Sequence, residues 1–395
     1  MSHPVQAMNI PMHLPDYTGG SIVNLMSSVI AARGGGPSEY PALKFLPPFP
    51  LSDVKNIVVL VIDGLGYEFL EQVGGGGTLH QHLRARMTSV FPSTTASAIT
   101  TFLTGTAPQQ HGLTGWHVYL KEFGNVLAVL PFRPRHGGSS LGGSGVDAAR
   151  FFGHTSVFDK LLTRSYQVVP KRIAHSDFNL AHSGQASIIT YKSLSRFFGG
   201  IKGVLRDNGE RKYVYAYWPE LDSTSHIYGV GSAESARHFS QLDEAFGRFL
   251  NCINRDETTV IVTADHGLID SSPDRLIELE NHPELAQTLV VPLCGERRVA
   301  YCYVHPHKQE RFEAYVQTEL AQQVDLVKSH ELIERGFFGL GQSHPRLADR
   351  VGHYTLIMRE NYVIRDRVLG EERYDHIGVH GGVSRHEMYV PLIVA

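Results

Sequence analysis

Residues 54–64 read VKNIVVLVIDG, and this stretch decides the fold class. Its apolar residues form a nearly unbroken run, which is typical of a strand that is buried on both faces in a parallel sheet. The run ends at Asp63, and a glycine follows. Residues 213–218 and 258–263 have the same character, and an aspartate follows each of them within a few residues. The sequence therefore predicts a sheet of mainly parallel strands with polar residues at their carboxyl ends.

Helical patterns lie between these strands. The clearest covers residues 232–253, where Ser232 stands in the N-cap position and apolar side chains recur every three or four residues. A last strand is predicted at residues 388–394. Because strands alternate with helices, we predict an α/β fold with a doubly wound sheet. A length of 395 residues fits one large domain with an insertion, or two domains.

We divide the chain into three parts. Residues 1–50 form an N-terminal arm that is rich in Pro, Gly and Ser and contains one helix-forming stretch at residues 22–32. Residues 51–284 and 346–395 form the main domain. Residues 285–345 have their own pattern of a strand and an amphipathic helix, which predicts a small α+β insertion packed on the main sheet.

Two further segments have distinct local patterns. Residues 354–358 and 362–365 are short apolar runs on either side of a turn, which predicts a hairpin. Residues 136–145 read HGGSSLGGSG, a composition that favours a mobile loop. This loop could be a lid over a site or an uninvolved surface turn.

The composition excludes several classes of protein. A formal net charge of -3 provides no basic field for nucleic acid or an anionic membrane, so we expect a small or flexible substrate. No run of about 18 apolar residues occurs, so no transmembrane segment is predicted. The first residues lack the pattern of a secretory signal, so we expect a cytoplasmic protein. Cys252, Cys294 and Cys302 lack paired-thiol spacing, so we expect buried thiols without disulfides.

Residues of metal-ligand type follow the three central strands. Asp63 follows the first strand, Asp222 and His226 follow the second, and Asp265 and His266 follow the third. Open α/β sheets bind ligands outside the carboxyl ends of their strands, so these side chains can converge. Carboxylate and imidazole ligands together suit zinc, or manganese, better than calcium or magnesium. Taken singly, each of these residues also fits an ordinary turn, a helix cap or a solvent-facing histidine.

Two more candidates come from other parts of the chain. Residues 91–98 read FPSTTASA, in which Pro and Ser favour a helix start, so Thr95 is predicted in the first helical turn. A helix N-terminus stabilises a deprotonated hydroxyl and a bound phosphate oxygen. His380 precedes two glycines, which allow close approach of the backbone around its ring. Singly, Thr95 also fits a helix cap and His380 a packed histidine, and we assign His111 mainly to packing.

These candidates belong to five longer motifs. In their order along the chain, the motifs resemble the alkaline phosphatase superfamily, in particular its nucleotide pyrophosphatase/phosphodiesterase branch, over residues 54–395. The series is far more specific than any single motif. The five motifs are VVLVIDGLG (58–66), FPSTTASAITTFLTGTAPQQHGL (91–113), YWPELDSTSHIYG (217–229), VIVTADHG (260–267) and HGGVSRHEMYVPLIV (380–394).

The resemblance implies an alkaline-phosphatase-like αβα sandwich with a mostly parallel sheet and two divalent metal ions, zinc or else manganese. Thr95 would be the nucleophile, with Thr94 as the alternative, and its attack on phosphorus would give a covalent phosphothreonine that water then hydrolyses. In the family's arrangement, one ion takes Asp63, Thr95, Asp265 and His266, and the other takes Asp222, His226 and His380.

The sequence departs from the family at Trp116, where phosphodiesterase relatives carry an asparagine that holds a phosphate oxygen. Trp116 could bind the substrate by stacking or through its indole nitrogen, or it could serve packing. No Lys or Arg occurs between Thr95 and Gly105, and this absence favours diesters or pyrophosphates over monoester dianions. Arg133 or Arg135 could still supply a cation from the next loop.

We therefore predict an enzyme that hydrolyses phosphodiester or nucleotide pyrophosphate bonds in small molecules, without stable binding to nucleic acid or membranes. A phosphomonoesterase or phosphonate hydrolase on the same site is the alternative within enzymes. A non-catalytic metal-containing binding protein is the alternative of another class, and it leaves the nucleophile Thr95 without a purpose. The substrate, its leaving group and the oligomeric state stay open.

Overall fold

The computed structural model describes residues 12–46, 51–207, 209–371 and 375–395. The strands are β1 (Asn56–Ile62), β2 (Leu83–Thr88), β3 (His117–Leu120), β4 (Asn125–Ala128), β5 (Arg133–Pro134), β6 (Arg164–Pro170), β7 (Ser187–Tyr191), β8 (Lys212–Trp218), β9 (Thr258–Thr263), β10 (Ile269–Asp270), β11 (Leu276–Glu278), β12 (Cys294–Gly295), β13 (Val299–Cys302), β14 (Val324–Lys328), β15 (Tyr354–Met358), β16 (Val363–Arg365), β17 (Gly378–Val379) and β18 (Tyr389–Val394).

The main sheet has the strand order β2-β18-β9-β1-β8-β6-β7. β1 pairs in parallel with β8 and β9, and β6 pairs in parallel with β8 and β7. β18 is antiparallel to both of its neighbours. All residues of β1, β8 and β9 are buried, as their unbroken apolar runs predict. The prediction of a mostly parallel central sheet is confirmed.

Helices cover the main sheet. The helix predicted within residues 232–253 is α11, which begins after Ser232, whose Oγ accepts a hydrogen bond from the Ser235 amide. Within the described ranges, no helix is both long and apolar enough to cross a membrane. The helices are α1 (Ile22–Ala32), α2 (Tyr67–Val73), α3 (Thr78–Gln81), α4 (Thr95–Thr104), α5 (Pro108–His111), α6 (Ala148–Phe152), α7 (Val157–Lys160), α8 (Asp177–His182), α9 (Leu194–Arg206), α10 (Glu220–Tyr228), α11 (Ala233–Leu250), α12 (Pro283–Ala286), α13 (Gln309–Glu319), α14 (Ser329–Glu334), α15 (Leu347–Arg350) and α16 (Arg385–Met388).

The described part of the predicted N-terminal arm contributes to the core. Its helix α1 has the bounds that the sequence predicts, residues 22–32, and its residues from Ile22 to Ile30 are buried. Asn24 ties the helix to the chain on both sides, because its amide nitrogen donates to the carbonyl groups of Tyr17 and Pro41. Side chains of α1 belong to the same buried cluster as those of β1, so this segment is packed against the main domain.

A second sheet has the order β14-β15-β13-β12-β3-β4-β5. Residues of β13 and β15 belong alternately to two buried clusters, so this sheet is covered on both faces. Its strands come from both residues 117–134 and residues 294–358. The strands within the predicted insertion, residues 285–345, thus share a sheet with segments outside it, and the boundaries of that insertion stay a proposal.

The prediction that residues 354–358 and 362–365 form a hairpin is wrong. β15 pairs with β13 and β14, whereas β16 pairs in parallel with β11. The chain segment at Arg297 and Arg298 separates the two runs, because the Arg298 carbonyl accepts from the Met358 amide and the Arg297 carbonyl accepts from the Ile364 amide. The runs therefore diverge after a local turn.

The cysteines are free, as expected, but they differ in exposure. Cys294 and Cys302 are buried, and burial raises the pKa of both thiols. Cys252 is exposed, so its predicted burial is wrong. Its position in the turn after α11 explains the difference, because the buried apolar stripe of that helix ends at Leu250.

Candidate metal centre

The seven predicted ligands meet at the carboxyl end of the main sheet. Asp63 follows β1, Asp265 and His266 follow β9, and β17 delivers His380 because it pairs with β10 next to them. The other three lie on helices that begin at the same edge, namely Thr95 as the first residue of α4, and Asp222 and His226 on α10. The parallel strands thus bring together residues that are far apart in the sequence.

The first group of ligands surrounds the Nε2 atom of His266. This atom lies 3.1 Å from Thr95 Oγ1, 3.4 Å from Asp63 Oδ1 and 3.4 Å from Asp265 Oδ2. Asp63 Oδ1 and Asp265 Oδ2 are buried and have no hydrogen-bond partner within the part of the chain that the structure describes. Buried carboxylate oxygens are costly without a partner, so the donor set fits a bound cation.

The second group lies beside the first. Asp222 Oδ2 is 3.2 Å from His226 Nε2, and Asp222 Oδ1 is 3.9 Å from His380 Nε2. The His380 ring stacks on His266 with ring centroids 3.8 Å apart, and ligand atoms of Asp222, His266 and His380 lie within 4.8 Å of one another. The two groups therefore share a wall, which suits two neighbouring cations.

Hydrogen bonds to carbonyl groups orient two of the imidazole rings. His226 Nδ1 lies 2.7 Å from the Gly378 carbonyl, and His266 Nδ1 lies 3.0 Å from the Gly267 carbonyl. Because a carbonyl only accepts, each Nδ1 carries the proton and each Nε2 keeps a lone pair for a metal. The Tyr217 hydroxyl donates to Asp63 Oδ2 and orients that carboxylate in the same way.

The charges of the site also favour bound cations. Burial raises the pKa of Asp63 well above its usual value, and the nearby charges of Asp265 and Asp222 raise it further. Burial likewise raises the pKa of Asp265. Burial, followed by the charge of His266, lowers the pKa of His380. Asp222 differs, because the charge of His226 outweighs burial and lowers the pKa of this aspartate. Asp63 and Asp265 therefore need further positive charge to ionise together, and divalent ions would provide it.

Thr94 and Thr95 have different surroundings. Thr94 is the N-cap of α4, yet its side chain makes no cap bond, because its hydroxyl donates to Glu296 Oε1 at 2.6 Å. The Thr95 hydroxyl is the one that contacts His266. The geometry therefore places Thr95, and not Thr94, among the ligand atoms.

Four of the predicted ligands line a cleft of about 870 Å³ between the two sheets, namely Thr95, Asp222, His226 and His380. Trp116 also lines this cleft, and the residue is 37% exposed. Arg133 and Arg135 also line it, but the charge of Arg135 is already paired with Asp366 at 2.6 Å and Glu371 at 2.9 Å. The loop at residues 136–145 reaches the cleft at Gly137, which leaves its role as a lid or a surface turn open.

Three residues at the site were not predicted from the sequence. Tyr217 lies in β8 and reads as an ordinary strand residue. The His376 ring stacks on His226 with centroids 4.3 Å apart. Glu296 comes from the second sheet, and burial raises its pKa to about 7 although bonds from Thr94 and the Trp116 amide oppose this shift. Of these three residues, only His376 could have been suspected from the sequence, because it lies four residues before His380.

His111 is buried, and the predicted packing role is confirmed. Its Nδ1 accepts from the Leu113 amide at 3.1 Å, and its ring lies edge-on to His154. Burial lowers the pKa of His111 well below the usual value, so the ring is neutral. It is not part of either ligand group.

A buried ion pair fixes the loop after His380. Arg298 Nε and Nη2 donate to Glu387 at 3.0 and 2.9 Å, and both side chains are buried. Glu387 also accepts from the Gly382 amide and the Ser384 hydroxyl. Burial opposes the charge of Glu387, but Arg298 and these bonds outweigh burial and hold its pKa below the usual value. The pair thus joins the second sheet to the loop that carries a ligand.

Replacing Glu387 with Gln should lower the free energy of unfolding by about 3 kcal/mol or more, because a buried guanidinium loses its ionic partner. Folding lowers the pKa of Glu387 below its usual value of 4.5. The difference in unfolding free energy between the variant and wild type should therefore be largest above pH 4.5 and shrink as the pH falls below this value. Urea denaturation measures both effects. Glu284→Gln is the control, because its ion pair with Arg311 is exposed and should change stability by less than about 1 kcal/mol. Equal losses of stability in Glu387→Gln and Glu284→Gln would contradict a stabilising role for the buried ion pair.

Three comparisons with known proteins relate this chain to others. The model of the type I phosphodiesterase / nucleotide pyrophosphatase family matches residues 57–383. A bis(5'-adenosyl)-triphosphatase from Bos taurus is 32% identical over 73 residues, and the Homo sapiens protein is 31% identical over 74. The matched stretch spans only 16% of the length of these relatives and 17–18% of this chain.

Solved structures show the same fold. Murine ectonucleotide pyrophosphatase / phosphodiesterase 5, an inactive threonine-to-alanine variant in complex with AMP, has a TM-score of 0.64 and 19% identity, covering 85% of this chain and 87% of that one. Phosphonoacetate hydrolase from Sinorhizobium meliloti 1021 with phosphonoformate has a TM-score of 0.64 and 16% identity, covering 86% and 90%. The alkaline-phosphatase-like fold is thereby confirmed, and the chain belongs to the type I phosphodiesterase / nucleotide pyrophosphatase family.

Proposed function

We propose that this protein hydrolyses phosphodiester or nucleotide pyrophosphate bonds in small molecules with two divalent metal ions, zinc being the first choice. The convergence of Asp63, Asp265 and Thr95 oxygens within 3.1–3.4 Å of His266 Nε2 carries this proposal. Oxygen and nitrogen ligands without a thiolate fit zinc, and manganese is the alternative. One ion would be held by Asp63, Thr95, Asp265 and His266, and the other by Asp222, His226 and His380.

The ions, when bound, would neutralise charge on the phosphoryl group and favour the deprotonated hydroxyl of Thr95. Thr95 Oγ1 attacks phosphorus in line, so that a new O–P bond forms while the bond to the leaving oxygen breaks. The leaving group departs with the electron pair of that bond. The phosphothreonine formed from a diester still carries the other ester group of the substrate. Water then attacks its phosphorus, restores the hydroxyl of Thr95 and releases the remaining phosphomonoester.

The start of α4 supports this reaction. Because the Thr94 side chain bonds to Glu296, it does not cap the first-turn amides of this ten-residue helix. Such amides and the helix dipole stabilise a negative phosphoryl oxygen. The helix thus presents the nucleophile and helps to bind the group that it attacks.

Related proteins support a nucleotide substrate. The murine relative was solved with AMP, and its threonine-to-alanine variant is described as inactive. The bovine and human relatives are named bis(5'-adenosyl)-triphosphatases. Trp116 offers an exposed aromatic surface in the cleft on which a base could stack. We therefore favour dinucleotide-type or nucleotide-ester substrates.

Phosphonate hydrolysis is the second candidate, because phosphonoacetate hydrolase shares the fold with the same TM-score of 0.64. To separate the candidates, kcat/KM of the zinc-loaded protein is measured with bis-p-nitrophenyl phosphate, p-nitrophenyl phosphate and phosphonoacetate. We expect kcat/KM for the diester to be about 10-fold or more above the values for the other two substrates. An enzyme discriminates between substrates by how well it binds the charge and shape of each transition state. A preference for the monoester or the phosphonate would refute the first choice.

A further inference from the structure

Glu296 is a carboxylate in the wall of the cleft for which the proposed reaction has no use. It lies between β12 and β13 of the second sheet, while Thr95 belongs to a helix beside the main sheet. The two parts meet where the Thr94 hydroxyl reaches the Glu296 carboxylate. Within the second sheet, the chain before β3 packs closely on β12, because a Cβ added at Gly115 would lie 2.7 Å from the Gly295 Cα. This packing brings the Trp116 amide to Glu296.

Two hydrogen bonds hold the carboxylate there. Glu296 Oε1 accepts from the Thr94 hydroxyl at 2.6 Å and from the Trp116 amide at 2.7 Å. The first donor belongs to the residue next to Thr95. The second is the backbone amide of a residue that lines the same cleft. Both polar hydrogens are therefore directed to Glu296 and are not offered to a phosphate oxygen.

The consequence is a negative charge near the group that reacts. A phosphomonoester carries two negative charges on its phosphoryl oxygens above its second pKa, whereas a diester, or an internal phosphoryl group of a dinucleoside polyphosphate, carries one. Coulomb repulsion is proportional to the product of the charges, and it is stronger in a cleft than in bulk water. An ionised Glu296 therefore penalises the dianion more than the monoanion.

We propose that Glu296 determines specificity by disfavouring dianionic phosphoryl groups, so that the site selects monoanionic phosphodiesters and internal phosphoryl groups. This inference rests on the proposed phosphoester hydrolysis and names the class of substrate for it. It requires no proton transfer by Glu296.

The variant Glu296→Gln tests this role, because the amide oxygen can still accept both hydrogen bonds while the charge is lost. At alkaline pH, where the carboxyl group is ionised, we expect the ratio of kcat/KM for p-nitrophenyl phosphate to that for bis-p-nitrophenyl phosphate to rise about 10-fold or more. The rise should come from the monoester. Glu280→Gln removes a charge at the rim of the same cleft, from a pair with Arg367, and should leave the ratio unchanged. An unchanged ratio in Glu296→Gln, or equal losses for both esters, would overturn the proposal.

A binding measurement keeps this test separate from the proposed function. Calorimetry compares phenylphosphonate, a dianion at alkaline pH, with its monoanionic methyl ester on zinc-loaded Thr95→Ala and Thr95→Ala/Glu296→Gln. We expect the second variant to bind the dianion about 10-fold more tightly and the monoanion equally well. If wild type hydrolyses neither nitrophenyl ester, the proposed function fails, but selective tightening for the dianion still supports the role of Glu296. Equal affinities in the two variants would refute that role.

Discussion

Replacing Thr95 with Ala should lower kcat for the diester by about 10⁴-fold or more, because the variant lacks the oxygen that attacks phosphorus. Thr95 is the first residue of α4, and its hydroxyl contacts His266 Nε2 at 3.1 Å among the oxygens of two aspartates. The metal content should change little, since three other ligands remain in its group. Steady-state kinetics and elemental analysis of the same preparation measure both quantities.

Two variants make this result specific. Thr95→Ser keeps a hydroxyl at the same position and should restore a measurable part of the activity. Thr94→Ala removes the bond to Glu296 but no metal ligand, so we expect a loss well below that of Thr95→Ala. A Thr95→Ala protein that is as active as wild type would exclude Thr95 as the nucleophile. If Thr94→Ala is as inactive as Thr95→Ala, the kinetics do not distinguish the two threonines as the nucleophile.

Removal of the metal ions should abolish turnover and lower the melting temperature. Without cations, the site leaves Asp63 Oδ1, Asp222 Oδ1 and Asp265 Oδ2 buried and without hydrogen-bond partners among the described residues. A ligand present at 1,000 times its Kd stabilises the folded state by about 4 kcal/mol per site, so the stability effect should be large. Chelator treatment followed by calorimetry and by kinetics measures both losses.

Readdition of zinc or manganese to the chelator-treated protein provides the control. We expect zinc to restore both activity and melting temperature, while calcium, which prefers six to eight oxygen ligands, should restore neither. Full activity after complete removal of metal would contradict a metal-dependent mechanism. Restoration by manganese but not by zinc would change the metal and leave the ligand assignment intact.

The sequence was informative about the metal centre because each part of it follows from local rules. Asp63 and Asp265 end strands that are apolar throughout, and parallel strands end at one edge of a sheet. Thr95 stands at a helix start, and α10 gives Asp222 and His226 the helical spacing that lets them meet. The predicted residues do converge, while the role of each ligand stays a proposal.

The second sheet could not be predicted in the same way. Its strands β3 to β5 are short and pair with one another, and β3 joins the rest of the sheet through β12, which lies far away along the chain. The Glu296 side chain reaches Thr94, 202 residues away, and no local pattern encodes such a contact. The wrong prediction of a hairpin at residues 354–365 also comes from pairing with distant segments. A turn between two apolar runs does not show whether the runs pair with each other.

The metal content of three preparations tests the central claim most directly, namely that two ions are held by two groups of ligands. Elemental analysis of wild type, Asp63→Asn and Asp222→Asn gives the ratio of metal to protein. We predict two ions per chain in wild type and one in each variant, because each substitution removes the charge of a buried carboxylate from one group, a larger loss than that of the Thr95 hydroxyl, and spares the other group. A wild-type ratio of one or less, or variants that both keep two ions, would contradict the account.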